Sequence, residues 1–345
     1  MKNAIVYYTH QVPREGLELL MPHVSIVENT TQAPPTKGEV IRASKNAHAI
    51  CWFVPDIIDE EIILSCPNLR ILAGFARGHD NIDVPTATSR SIWVTVAPNT
   101  ILEPAADLTW GLILSITRKI TQGDRFIRSS KHSGWHPSRC LGYQVYKKTI
   151  GIIGMGRLGR AIARRAVGFE MDVFYCETGP VDKTLEKDLN LRRASLDELL
   201  QKSDFVCIAT PLTKDTFHQI SSREISLMKP TAILINTARG SEVDEEAVAV
   251  ALDRGTIAGY AADVFEMEDK QYSSRPLQVT SGLIDQPERT VLTPHISTAV
   301  KDSRIEIAMY QAQNVLQALK GQRPAGAVND IPLQPAIISK DSLKI

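Results

Sequence analysis

Three residues near the ends of apolar runs could move a proton and hold an anion: His295 in TPHIST, Arg239 in NTARGS and Glu268 in ADVFEMED. An imidazole with an unperturbed pKa near about 6.5 can take or give a proton at neutral pH, so His295 is the candidate base. A carboxylate beside it would fix its tautomer and favour its charged form after protonation, and Glu268 is preferred for this over Glu266 and Asp269. A guanidinium is always charged and offers a planar fork to a carboxylate or an oxyphosphorus anion, which suits Arg239 to orienting a small anionic substrate. The alternatives are a satisfied histidine, one of eight in the chain, and a surface ion pair of Arg239 with an acid such as Glu242. Arg77, in ARGHDN, is a second candidate cation, with a structural role as its alternative.

What these groups would act beside is indicated by Thr149 to Gly159, TIGIIGMGRLG. Ile150, Ile152 and Ile153 make a buried strand, and Gly154, Gly156 and Gly159 form GxGxxG where strand passes into helix. Gly154 permits the turn, Gly156 lets a pyrophosphate approach the backbone, Gly159 lets helix pack on strand, and the helix N-terminus faces the anion. A helical pattern (Leu158, Ala161, Ile162, Ala166) and a strand, Met171 to Tyr175, follow. Glu177 then lies about 20 residues past the glycines, where an acid accepts hydrogen bonds from a ribose hydroxyl. Its charge would repel a 2′-phosphate, so NAD is expected over NADP, with Lys183 near enough to soften the preference. Positions beyond strand ends supply the rest of the expected cofactor site: Arg157 and Leu158, Thr210 with Pro211, Thr237 and Ala238, Asp263, and Thr298.

The elements that position these residues are legible as alternating strand and helix patterns. Ala4 to Tyr8, Val24 to Val27, Ala49 to Phe53, Leu69 to Ala73 and Ile92 to Val94 suggest a small parallel α/β unit. Leu17, Leu20 and Met21 fit one helix face between Pro13 and Pro22. Val96 to Pro104 reads as a linker, followed by a helix with Leu108, Leu112, Ile113, Ile116 and Ile120 on its apolar face. Ser129 to Val145, which holds Trp135, Cys140 and Gly142, reads as a long loop. Six strands of a doubly wound sheet are then expected, the later five being 173–175, 205–209, 232–236, 257–262 and 290–292. Asp244 caps a helix that Gly255 ends. A last amphipathic helix (Ile305, Ala308, Met309, Ala312, Val315, Leu316, Leu319) stops at Gly321. It is expected to return to the first domain, giving a discontinuous substrate domain, 1–99 with 299–345, and a nucleotide domain, 100–298.

Thirty-nine basic and 39 acidic residues among 345 leave no net charge and no basic block, which argues against nucleic acid or an anionic membrane as partner. Five scattered cysteines without metal-type spacing argue against structural zinc and a disulfide framework. No metal site is expected. No signal-peptide pattern opens the chain, and a reducing, cytoplasmic setting is expected.

GIIGMGRLG, SDFVCIATPLTKDT, INTARGSEVDEEAV, GYAADVFEMED and TPHIST, in that order, resemble the D-2-hydroxyacid dehydrogenase family along nearly the whole chain. The resemblance implies two Rossmann-like α/β domains, the smaller flavodoxin-like, with the active site in the cleft between them. It further implies Arg239, Glu268 and His295 as the catalytic trio, and a homodimer built through the nucleotide domain. Within the family the chain most resembles phosphonate (phosphite) dehydrogenases, through GHDNID, FIRSSKHSGWHP, the long stretch between Glu268 and His295 with SRPLQ inside it, and NVLQALKGQRPAGAVN. That subfamily oxidises phosphite to phosphate with NAD. By this resemblance Arg77, Gly78, Trp135 and Arg304 bind substrate. The chain departs from the subfamily at Arg77, Val54 and Cys140, where lysine, methionine and a lid tyrosine are expected. Reduction of a 2-keto acid such as glyoxylate is the second expectation, and an NAD-sensing binding protein of the corepressor type the third.

Overall fold

The computed structural model describes residues 4–31 and 33–339. The chain divides into two compact units, Met1–Ile101 with Ala299–Ile345, and Leu102–Thr298.

The first unit is a five-stranded parallel sheet. Its strands are β1 (Ile5–Tyr8), β2 (Ser25–Glu28), β3 (Ala49–Trp52), β4 (Ile71–Gly74) and β5 (Trp93–Thr95), in the order β2-β1-β3-β4-β5. β3 and β4 are buried along their whole length, as an apolar run must be when helices cover both faces. Side chains alternate between two cores. Val6, Tyr8, Cys51 and Ala73 pack with Leu17, Leu20, Ala308 and Ala312, whereas Tyr7, Ile50, Trp52 and Leu72 pack with Val40, Ile62 and Ile63. Helices Arg14–Leu20 and Lys301–Leu319 therefore share one face, and Gly16 allows their approach, because a Cβ there would meet the Ala308 carbonyl at 2.7 Å. The inward stripe of the last helix differs from expectation: Ile307 and Gln311 are buried, whereas Met309 is exposed, as is Met21 at the end of the first helix.

The second unit is a seven-stranded parallel sheet ordered β12-β11-β10-β9-β6-β7-β8. The strands are β6 (Thr149–Ile153), β7 (Asp172–Cys176), β8 (Leu191–Arg193), β9 (Phe205–Ile208), β10 (Ile233–Asn236), β11 (Gly259–Ala262) and β12 (Thr290–Leu292). The order reverses at β6, which pairs with β7 on one side and β9 on the other, so the glycine loop leaves the sheet at its switch point. Seven strands replace the six expected. β8 is an edge strand of which only Leu191 is buried, so it has no apolar run to reveal it.

Helix Leu102–Thr117 buries Trp110, Leu112, Ile113 and Ile116, and the Trp110 indole donates to the Ile162 carbonyl at 3.1 Å while stacking on Phe169. It does not extend to Ile120. Lys119 takes a left-handed conformation (φ 56°) and starts a separate helix, Ile120–Arg128, leaving Ile120 56% exposed. Residues 129–148 form no helix or strand.

Candidate active site

The cradle after β6 is defined by what a side chain would do to it. Gly154 has φ +94°, disfavoured for any residue with a Cβ, and a Cβ there would also meet the Ala209 carbonyl group at 2.8 Å. A Cβ on Gly159 would collide with the Gly154 carbonyl oxygen, whereas nothing lies within 4 Å of one built on Gly156. Gly154 and Gly159 are thus required by the fold itself. Gly156 instead leaves open space at the N-terminus of helix Arg157–Ala166.

Glu177 follows β7 and reaches back to this loop. Its Oε2 accepts from the Met155 N–H at 2.9 Å, and its Oε1 from the Thr178 N–H at 2.8 Å. Burial pushes its pKa up, but the backbone donors of Met155, Thr178 and Gly179 outweigh it and hold the carboxyl below the usual range. The group is therefore ionised beside the glycine loop. Arg193, on the unforeseen β8, donates to the Glu177 and Thr178 carbonyls and places a cation behind this carboxylate.

At the end of β12, His295 sits in the left-handed region at φ +53°, sparsely populated by residues other than Gly. Its backbone N–H donates to the Asp263 carbonyl at 2.8 Å. The buried Asp263 carboxylate accepts from the Thr293 hydroxyl at 2.6 Å and from the N–H groups of Ile296 and Ser297, each at 2.8 Å. The carboxylate of Asp263, a residue expected at the cofactor, holds the histidine loop. The imidazole Nδ1 lies 2.5 Å from Glu268 Oε2, and the Phe265 N–H fixes the other Glu268 oxygen at 3.0 Å. A proton on Nδ1 is thereby held by the carboxylate, which leaves Nε2 to accept or donate one; no bond to Nε2 is found among the described residues.

Arg239 follows β10. Its backbone N–H donates to Glu242 Oε2 at 3.1 Å, its carbonyl accepts from Asn236 Nδ2 at 2.8 Å, and its side chain donates to the Ala238 carbonyl at 2.9 Å. The turn Gly240–Glu242 packs directly on the turn Glu266–Glu268, since a Cβ on Gly240 would collide with the Phe265 carbonyl group and the Glu266 nitrogen. Asp269 joins the two turns by accepting from the Ser241 N–H at 2.7 Å. Glu242 is not a surface partner: it is fully buried and accepts from the Thr210 hydroxyl and from Gln219 Nε2. Burial pushes its carboxyl up to about 8. The Thr210 hydroxyl is thus occupied within the protein, as is that of Thr237, which lies 2.8 Å from the Thr109 hydroxyl. Ala238 is buried beside it, while Pro211, Arg157, Leu158 and the half-buried Thr298 retain access to solvent.

The other expected substrate residues are distributed over both units. Arg77, which donates to the Ala97 carbonyl at 3.2 Å, and Gly78 follow β4 in the first unit. Arg304, in helix Lys301–Leu319, lies 5.6 Å from the Phe75 ring centroid, and burial lowers its pKa. Trp135 belongs to the second unit and is 87% exposed. Cys140 is likewise exposed. No cluster of three metal-ligating side chains occurs among the described residues, and no helix among them is long and apolar enough to cross a membrane.

A switch-point glycine cradle with an ionised acid beside it, in one sheet with a histidine–carboxylate pair and an arginine, defines a nicotinamide-dependent oxidoreductase. The family model for the D-isomer specific 2-hydroxyacid dehydrogenase NAD binding domain matches residues 110–297. A glyoxylate reductase of Korarchaeum cryptofilum is 39% identical over 325 residues, covering 94% of this chain and 95% of that protein. A glyoxylate reductase of Pyrococcus horikoshii is 38% identical over 328 residues, with 94% and 95% covered. Among solved structures, the TT0316 protein from Thermus thermophilus has a TM-score of 0.85 at 33% identity, covering 94% of this chain and all of that one. A glyoxylate reductase from Paecilomyes thermophila has a TM-score of 0.81 at 27% identity, with 95% and 99% covered. The chain belongs to the D-isomer-specific 2-hydroxyacid dehydrogenase family and is an NAD-dependent dehydrogenase.

Proposed function

We propose that the enzyme interconverts a small 2-oxo acid of the glyoxylate class and its 2-hydroxy acid. The observation that carries this is the His295–Glu268 contact at 2.5 Å, which directs the imidazole Nε2 away from the carboxylate. The nicotinamide, when bound, would give a hydride to the substrate C2 as NADH and take one from it as NAD. Nε2–H of His295 gives its proton to the carbonyl oxygen during reduction and recovers it from the hydroxyl during oxidation, while Glu268 stabilises the imidazolium. The Arg239 guanidinium pairs with the substrate carboxylate and fixes which face of C2 is presented. The similar proteins named glyoxylate reductases favour this chemistry over phosphite oxidation, the first expectation from sequence. Phosphite stays as the second reading on one observation: the first unit carries two arginines, Arg77 and Arg304, which suit a compact oxyanion of higher charge.

The test is a panel of assays on the purified protein: NADH oxidation with glyoxylate and NADH formation with phosphite or D-2-hydroxy acids. Turnover of glyoxylate without phosphite activity is expected. Phosphite activity alone would replace the proposal with the second reading, and NAD binding without turnover of any substrate would favour a sensing protein.

The same proposal assigns nucleotide binding to the second unit and substrate selection to the first, in a homodimer built through the second. The exposed Ile120, Ile127, Trp135 and Leu141 support self-association, because a monomer rarely exposes so many large apolar side chains in one segment. Sedimentation should give twice the chain mass. A reducing, cytoplasmic setting is supported by the five unpaired cysteines.

A further inference from the structure

The turn Glu266–Glu268 carries two glutamates, and each meets an imidazole. Glu268 meets His295 in the pair described above, whereas Glu266 meets His218, which no step described so far uses. His218 Nε2 lies 3.0 Å from Glu266 Oε2, with the two side chains 31% and 12% exposed. A carboxylate only accepts, so the ring donates from Nε2. Among the described residues His218 is the one ion-pair partner of Glu266. The other Glu266 oxygen accepts from the Glu245 N–H at 3.0 Å, while the Glu245 carboxylate accepts from the Glu266 N–H at 2.7 Å and the Thr280 N–H at 3.3 Å. Two buried carboxyl groups thus adjoin at the start of helix Glu245–Arg254, and burial, together with the charge of Glu266, pushes the Glu245 carboxyl up. Like charges held this close repel, and the imidazole on Glu266 offsets that repulsion.

The backbone of His218 is tied to the neighbouring turn. It is left-handed at φ +49°, and its N–H donates to the Ser241 carbonyl at 2.8 Å. Two residues on, Ile220 forms a parallel bridge with Val243: its N–H donates to the Glu242 carbonyl at 3.1 Å, and its own carbonyl accepts from the Asp244 N–H at 3.0 Å. His218 therefore holds both catalytic turns, by its main chain the one that follows Arg239 and by its side chain the one that ends in Glu268. Its ring also stacks on Phe217 at 4.1 Å, and Phe217 packs at 4.7 Å on Tyr272, in the segment that leaves Glu268. All of these residues belong to the second unit. A residue anchored at both turns sets their spacing, and the Glu268–His295 contact depends on where the second turn sits.

We propose that His218 is a positioning residue for catalysis, which through Glu266 holds the turn that presents Glu268 to His295. The assignment rests on the roles of Glu268 and His295 proposed above.

The test compares the wild type with His218→Asn and His218→Gln in steady-state assays with NADH and glyoxylate. Asparagine adopts the left-handed backbone readily and is too short to reach Glu266, so it removes the pair without adding strain; glutamine can place an amide N–H near the position of Nε2 and restores the donor. His218→Asn should lower kcat by roughly tenfold, a part of the about 10²-fold that a full 1 Å misplacement costs, with KM for glyoxylate and NADH affinity each within about twofold of wild type. His218→Gln should recover most of the lost kcat. An unchanged kcat in His218→Asn, equal defects in the two variants, or a loss matched by a fall in the number of NADH-binding sites would show a structural role only and overturn the proposal. A wild type that does not turn over glyoxylate, or a His295→Ala variant that keeps the wild-type rate, overturns the proposed function and this inference together. An inactive His295→Ala variant beside a fully active His218→Asn overturns the role of His218 alone.

Discussion

Replacing Gly240 by alanine should disable catalysis while sparing nucleotide binding. An added Cβ would occupy the space of the Phe265 carbonyl group and the Glu266 nitrogen, and both are backbone atoms that cannot rotate aside. Cβ atoms essentially never approach another heavy atom within 3.0 Å, so one of the two turns has to retreat. The retreat is on the order of 1 Å, and a misplacement of that size at a reacting centre costs about 10²-fold in rate. The displacement reaches the chemistry by a short route: the Phe265 N–H holds Glu268 at 3.0 Å, and Glu268 holds His295 at 2.5 Å. On the other side of the contact the moving turn begins at Arg239. Overpacking should also remove about 1–3 kcal/mol of stability. Steady-state assays with NADH and glyoxylate, NADH affinity by fluorescence quenching, and urea unfolding read the three effects separately. Gly240→Ala with kcat/KM within threefold of wild type, or with its defect confined to NADH affinity, would refute the coupling of the two turns.

Further outcomes are expected at the catalytic pair, the ribose acid and the buried carboxyl. His295→Ala should lower kcat by on the order of 10²–10⁴-fold, with NAD affinity measured by titration little changed; a preserved rate would remove His295 as the proton carrier. Glu177→Ala should shift the NAD over NADP preference by about tenfold, and unchanged selectivity in paired kcat/KM measurements would reject the ribose assignment. Glu242 gives a pH signature: burial raises its carboxyl from 4.5 to about 8. The folded protein therefore keeps a proton that the unfolded chain has lost. The stability from this group is complete below about pH 4.5, declines as pH rises, and is gone above about pH 8, a change on the order of a few kcal/mol. Urea midpoints between pH 5 and 8.5 should fall more steeply for the wild type than for Glu242→Gln, and parallel curves would contradict it.

The cofactor side of the enzyme was legible because its determinants are local. An apolar strand, a glycine turn, a helix and a second strand are written in consecutive residues, and the placement of Glu177 follows from counting along them. The end of helix Leu102–Thr117 was less legible, since Ile120 continues the apolar spacing and only the left-handed turn at Lys119 breaks it. β8 was invisible for a related reason: an edge strand is held by backbone pairing to β7 and needs little apolar side chain.

The sequence by itself determined that a nucleotide-domain glycine loop exists, which acid follows the next strand beside it, and that an arginine, a glutamate and a histidine follow successive strands. Only the tertiary structure decided what those residues lean on. Asp263 carries the histidine loop; Glu242 is a core carboxyl shared by Thr210, Gln219 and Arg239; His10 meets Asp56 across 46 residues of sequence. In sequence a charged side chain at a buried position looks the same as one in solvent. Its environment is set by segments that converge only when the sheets assemble, and that convergence fixes which carboxylate holds a proton, which imidazole nitrogen is left open, and where a Cβ has no room.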